Sequence, residues 1–419
     1  MKIFENTRQI AIFVAVCLCI FSLNLAFEYY KFSKFTSKDY AFLDAKVLQN
    51  YQKTKNDKSY FVLKLRADDF EFYTTSKKEI QANYLKIGVI TKQVKFKDYI
   101  KGVFYMPNFK IENLQKEPNL KDKLQNFITS QHQSPKLKEL YSALYLATPI
   151  SKDLRGDVTS WGIAHIIAIS GFHLGIIFGV MFFIIKFAYA RLSDRFFPYR
   201  NINFEISLFI FICLGFYLWI LDFTPSFLRS YVMGVVGFVL VSFGLKVFRI
   251  ENLLLCVILS MVFVPNLVFS IGFYFSCLGV FFIFLYIHHF GDKKDLKSPK
   301  MMILHGLMLE IFVFSAMNLP VFYFFSPAGL FQLSVIPLGY VFVLFYPLSV
   351  FLHIFGIGGI FDEFMLKFIQ YADTSTQIST PFWLFVAFNL ALPLAYKFKL
   401  VAVLVGLAGA ILFFGGLAT

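Results

Sequence analysis

The sequence predicts a polytopic α-helical membrane protein of about ten spans with a small β-rich domain outside the membrane. Three observations carry this. Hydrophobic residues make up 58% of the chain, above the ~45–50% apolar content, glycine included, of ordinary soluble domains. Charged residues are only 16%, mean hydropathy is +0.64, and several apolar runs reach the roughly 20 residues that a helix needs to cross the hydrocarbon core. Between the first such run and the rest lies one polar block whose pattern alternates like strands.

Residues 1–30 open with a short charged lead and an apolar stretch, as a secretory signal would. No small-residue cleavage site follows, and Tyr29 and Tyr30 suit an interfacial aromatic belt, so the segment reads as an uncleaved first span. Residues 31–110 read as a basic β domain. In "FVLKLR", Phe61, Leu63 and Leu65 share a face opposite Lys64 and Arg66, the period of a half-buried strand. Residues 31–138 hold 22 basic and 11 acidic side chains, +11 of the chain's +14. Such a block concentrates a polyanion, or it serves solubility or attraction to anionic membrane lipid. Residues 111–160 turn helical, with Leu120, Leu124, Phe127 and Ile128, then Leu137, Leu140, Tyr141 and Leu144, three or four apart. They read as helices on the membrane surface leading into residues 161–419.

The remaining spans are predicted over 162–186, 204–221, 227–245, 253–269, 271–287, 302–325, 330–355, 382–396 and 400–414, with 361–368 an interfacial or re-entrant helix. Apolar runs continue to the last residues, so no soluble catalytic domain is expected after them and the chain reads as a non-enzyme. Placing the N-terminus inside puts Lys186, Arg191, Arg195, Arg200, Lys246, Arg249, Lys293, Lys294, Lys297 and Lys300 inside, against Arg229, Lys397 and Lys399 outside. This is a positive-inside bias, and the basic block is exported because the rule weakens for long domains.

The five cysteines, Cys17, Cys19, Cys213, Cys256 and Cys277, all lie in apolar spans, which excludes a disulfide in the polar block. There is no phosphate-binding loop and no paired-histidine metal motif, so no cofactor or metal is expected. Inside the membrane the densest polar cluster is "DVTSWGIAHIIAISGFHLGIIFGV". Read as one helix, it sets His165 and His173 about 80° apart, both facing the interior with Ser170 on their flank. Gly171, Gly175 and Gly179 recur every fourth residue, a pattern that lets another helix approach. Two structural histidines bonding across the bundle explain the cluster equally well. Ser-x-x-His alone is thin grounds for a nucleophile, because no orienting carboxylate accompanies it.

Arg229, in "DFTPSFLRS", either attracts phosphate or anchors a helix at the headgroups, and Asp222 is near enough along the chain to pair with it. Glu310 lies deeper and needs a partner, a water-filled path or a shifted pKa. Asn318, Pro320, Pro327, Gln332, Ser334 and Pro337 signal broken helices, which bundles tolerate where protein or a cavity satisfies the freed backbone.

The order of parts and three motifs resemble the ComEC family of competence proteins. His165, Ala168, Ser170, Gly171 and His173 match its central histidine-to-histidine motif; Pro225 and Arg229 match a proline-to-arginine element. Pro265, Gly272, Phe273 and Ser276 match a third, which reads "GFYFS" where "GFQLS" is more usual. The resemblance implies an OB-like external domain and single-stranded DNA passing through an inner-membrane channel during natural transformation. It also implies an external DNA receptor protein, a cytoplasmic helicase-like motor, and a nuclease on a separate chain, since no metallo-β-lactamase-like signature follows the last span. On that reading Arg229 and Glu310 join the His165–His173 segment along the path. The alternative is a proton- or ion-coupled transporter of a small anionic solute, suggested by Glu310, the histidines and the broken helices.

Overall fold

The computed structural model describes residues 6–55, 58–67, 70–80, 82–196, 199–244, 250–291, 298–372 and 376–418, without the side chains of Lys55, Lys58 and 190–196. Of the basic residues assigned inside, Lys246, Arg249, Lys293, Lys294, Lys297 and the side chains of Arg191 and Arg195 lie outside this description. The chain divides into two units, residues 1–123 with 255–273, and 124–254 with 274–419.

The first unit begins with α1 (Thr7–Phe35), 29 residues long and apolar along most of its length. It exceeds a bilayer core, and its last turns carry Phe32 and Phe35 into the core of a small barrel. The barrel is β1 (Tyr40–Lys55), β2 (Lys58–Ala67), β3 (Phe70–Ser76), β4 (Tyr84–Ile90), a short α2 (Phe96–Tyr99), β5 (Val103–Tyr105) and β6 (Asn108–Asn113), in the order β5-β3-β2-β1-β4-β6. β5 and β6 are two halves of one strand parted at Met106 and Pro107. The first half runs parallel to β3 and the second antiparallel to β4, which closes the sheet. This is the connectivity of an OB-type barrel. Leu63, Leu65, Phe72, Leu85, Ile87 and Met106 fill it, while Lys64 and Arg66 reach Glu71 on the outer face at 2.6 and 3.6 Å. Gly88 is fixed by packing: a Cβ there would meet the Phe109 ring at 2.5 Å. The helical pattern starts later than the sequence suggests, because Ile111–Asn113 still pair with β4.

Outside the barrel, Asp122 accepts hydrogen bonds from Lys46 and Tyr84. Burial alone would push its carboxyl up, but these two donors hold it below the usual carboxylate range. Within the membrane segment, Asn24 donates through Nδ2 to the Val262 carbonyl at 2.7 Å, an acceptor at the end of α10 (Ile250–Phe263), where Pro265 stops the helix. Asn24→Leu is expected to lower the thermal midpoint in detergent by the ~1 kcal/mol that such an interhelical bond contributes. An unchanged midpoint would show the contact to be idle.

The second unit is helical. It opens with the short helices α3 (Leu120–Thr129, from Leu124 on), α4 (Pro135–Leu146), α5 (Lys152–Ser160) and α6 (Ala164–Ile167). Apolar helices α7 (Gly171–Phe196), α8 (Ile202–Ile220), α9 (Pro225–Ser242), α11 (Ile271–Phe290), α12 (Pro299–Phe324), α13 (Val335–Ile354) and α16 (Lys399–Ala418) follow, with amphipathic α14 (Asp362–Tyr371) and the shorter α15 (Phe382–Lys397). Counting α1 and the helical turn leading into α13, eight helices among the described residues are long and apolar enough to cross a membrane, and α10 and α15 are shorter apolar helices.

Two expectations are corrected. The region 162–186 is not one helix: it breaks between α6 and α7, so the 80° relation of His165 and His173 does not apply. Lys397 and Lys399 do not lie opposite the Phe290 end of α11. Lys399 sits 4.6 Å over the Phe290 ring, and His289 hydrogen-bonds the Ala395 carbonyl at 2.9 Å. The cause is the path of the chain before them. Two short strands, β7 (Pro327–Ala328) and β8 (Thr376–Gln377), pair, so the stretch holding α13 and α14 returns to where it left.

Candidate functional site

Ser170 and His173 are joined by a helix cap. The Phe172 N–H donates to Ser170 Oγ at 3.3 Å, and the Ser170 N–H donates to His173 Nδ1 at 3.2 Å. This is a capping box with histidine in place of the usual glutamate, and it starts α7. Because Nδ1 accepts, the proton sits on Nε2. Nε2 is buried without a hydrogen-bond partner among the described residues, the ring edge-on to Phe342 and Tyr346 at 5.2 and 5.0 Å. Ser170 Oγ stands 3.4 Å from an Nδ1 already occupied by the backbone, which is not the arrangement of an activated nucleophile. His165 is exposed on α6, whereas His173 is fully buried. Gly162 lets the chain enter here: its φ is +70°, and a Cβ would stand 2.9 Å from the Gln332 carbonyl oxygen.

Gly171 meets α9 closely, with Ser230 Oγ 3.2 Å from the position of a Cβ. At Gly175 and Gly179 no described residue lies within 4 Å of the Cβ position, so these glycines show no close helix approach. They line an apolar groove of about 370 Å³ with Phe172, Ile176, Val180 and Val343. Arg229, next to Ser230, is buried, and Asp222 is exposed in a turn at φ +54°. Glu310 lies apart from the His173 contacts. It takes a hydrogen bond from Tyr340 of α13, and its Oε2 has no partner among the described residues.

The geometry also assembles a cluster that motif reading missed. Asp362 Oδ1 lies 2.8 Å from His132 Nδ1, and His132 Nε2 lies 2.9 Å from His353 Nε2. His353 Nδ1 donates to the Ser349 carbonyl at 2.7 Å. Tyr141 stacks on His132 with ring centroids 4.4 Å apart. Gln131 clamps the same turn, donating to the His353 carbonyl at 3.0 Å and accepting from the Gly358 N–H at 2.8 Å. Tyr145 touches Ser349 and His353, its carbonyl accepts from Tyr217, and Tyr217 bonds Tyr346, which faces His173. A polar seam thus runs along α13 from Asp362 to His173. Outside the spans, Lys136 lies 2.8 Å from both Asp153 and Asp157, and these carboxylates raise its pKa. The partners in the histidine cluster are more than 200 residues apart in sequence, so no spacing rule reveals them. The usable signal was a histidine in the last turn of an apolar helix before the glycine-rich "GIGGIFDE".

Among the described residues no group of three His, Cys, Asp or Glu side chains is arranged to hold a metal ion, and all five cysteines are free. No curated protein and no solved structure matches the chain. The sequence model of the Competence protein family matches residues 147–417, well over half of the chain, from the end of α4 to the last turn of α16. That stretch contains the helix cap, the buried arginine and the α13 side of the seam, and the chain belongs to the Competence protein family.

Proposed function

We propose that the chain translocates single-stranded DNA across the inner membrane during natural transformation, with its N-terminus cytoplasmic and its barrel outside. The match to the competence family over most of the helical part carries this reading. The barrel adds to it. Tyr40, Phe42 and Phe109 expose more than half of their surface on the outer face of β1 and β6, in mutual edge contacts at 6.3 and 5.6 Å. Exposed Lys86 and Lys110 occupy neighbouring strands of this sheet. Exposed rings with interleaved lysines form a stacking platform for unpaired bases. The corrected place of Lys397 and Lys399, at the Phe290 end, strengthens the positive-inside bias for this orientation. Arg229, Ser170 and His173 shape the core of the path. The energy comes from a helicase-like motor on the cytoplasmic side, an external receptor delivers the DNA, and a separate nuclease removes the other strand.

The deciding experiment is transformation of a deletion strain complemented by this chain, scored separately for surface-bound and internal DNA. The deletion is expected to bind DNA outside and import none, and normal import would overturn the reading. A double Phe42→Ala, Phe109→Ala variant of the whole protein is expected to bind an oligothymidylate 10- to 100-fold more weakly, since each stacked base contributes ~1–3 kcal/mol. Unchanged affinity would remove the platform from the path. The unpartnered carboxylate oxygen of Glu310 favours one other reading, coupled transport of a small anion. Proteoliposomes that move such a solute with no dependence on DNA would establish it instead.

A further inference from the structure

We propose that Asp362, His132 and His353 form a binding site for a single proton that latches the α3–α4 connection onto the turn between α13 and α14. A carbonyl oxygen only accepts, so the 2.7 Å contact to Ser349 requires a proton on His353 Nδ1. The 2.9 Å contact between the two Nε2 atoms requires one proton between them, and the 2.8 Å contact of His132 Nδ1 with Asp362 requires another. Three contacts need three protons. Two neutral imidazoles beside a carboxylate hold only two.

The closed line therefore carries one additional proton. It rests on His132 with His353 neutral, or on His353 with His132 neutral, and shifting hydrogens along the line interconverts these forms without breaking a contact. Without that proton, either two nitrogen lone pairs face each other or a lone pair faces a carboxylate, and one contact opens. With both imidazoles charged, two N–H groups collide at Nε2. Closure thus selects one intermediate protonation state.

The surroundings suit such a site. The His132 side chain has no exposure and that of Asp362 has 22%, so the carboxylate is the proton's entrance from solvent. From α4, Tyr141 stacks on His132, and Tyr145 lies 3.4 Å from His353 Nδ1. α13 contributes Ser349, and the connection itself contributes Gln131. On α14 the neighbouring charges are Glu363 and Lys367, which are exposed and pair with each other at 2.7 Å. The latch holds the α3–α4 connection against the C-terminal end of α13, so gain or loss of one proton opens a contact there.

The test compares apparent thermal midpoints of the full-length protein in nanodiscs from about pH 6 to 9 for wild type and Asp362→Asn. An asparagine amide donates to His132 Nδ1, and the line then closes with two neutral imidazoles. Relative to Asp362→Asn, the folded-to-unfolded ratio of the wild type is expected to fall up to tenfold per pH unit above the ordinary imidazole range, the signature of one proton taken up on folding. His353→Gln serves as the second variant, since its amide donates to His132 Nε2 and again removes the need for the proton. It must show the same loss of the alkaline decline. Profiles that run parallel to wild type in whichever variant folds would overturn the site.

Discussion

A Gly409→Leu variant is expected to lose the native packing of α12 against α16 and at least ~3 kcal/mol of stability. A Cβ at residue 409 would stand 1.9 Å from the Ser315 carbonyl oxygen and 2.9 Å from its carbon. These are backbone atoms inside a helix, and no side-chain rotation relieves the collision. Overpacking usually costs ~1–3 kcal/mol, and a forced backbone shift belongs at the top of that range or beyond. The close approach is how membrane helices gain contact without a hydrophobic driving force between them. Gly415→Leu is the control, because no described residue lies within 4 Å of its Cβ position. Size-exclusion chromatography in detergent, with the thermal midpoint, reads the outcome. Equal behaviour of the two variants would refute the packing argument.

His132→Leu is the second large effect. It leaves His353 Nε2 without its imidazole partner, and it removes the donor facing Asp362. Breaking a buried pair from one side costs ~3–5 kcal/mol, and the partial exposure of Asp362 places this case at the lower end, about 3 kcal/mol. The same substitution at His288, which is exposed, is expected to cost less than ~1 kcal/mol. A thermal midpoint for His132→Leu close to that of His288→Leu would show that the cluster adds no stability.

The two effects mark where motif reading reached and where it stopped. The glycine series at Gly171, Gly175 and Gly179 is conspicuous in sequence, yet only Gly171 is in close contact. Among the described helical glycines the closest approach to a neighbouring helix is at Gly409, in a span whose apolar monotony hid it. In the same way Ser170 and His173 were visible as a pair from their spacing. What the pair does depends on where the helix begins, and a break after Ile167 makes Ser170 and His173 the cap of α7.

The sequence by itself determined the environment of each segment. Hydropathy sets which stretches enter lipid, and strand periodicity sets the barrel, because both are sums over neighbouring residues and need no knowledge of distant ones. The family motifs were legible for the same reason. Only the tertiary structure decided which side chains meet: the pairing of β7 with β8 that moves Lys397 and Lys399 to the Phe290 end, and the union of His132, His353 and Asp362. Such contacts join residues tens to hundreds of positions apart through geometry set by packing, and a buried polar group leaves no periodic trace along the chain, since its partner is fixed by the fold and not by its spacing.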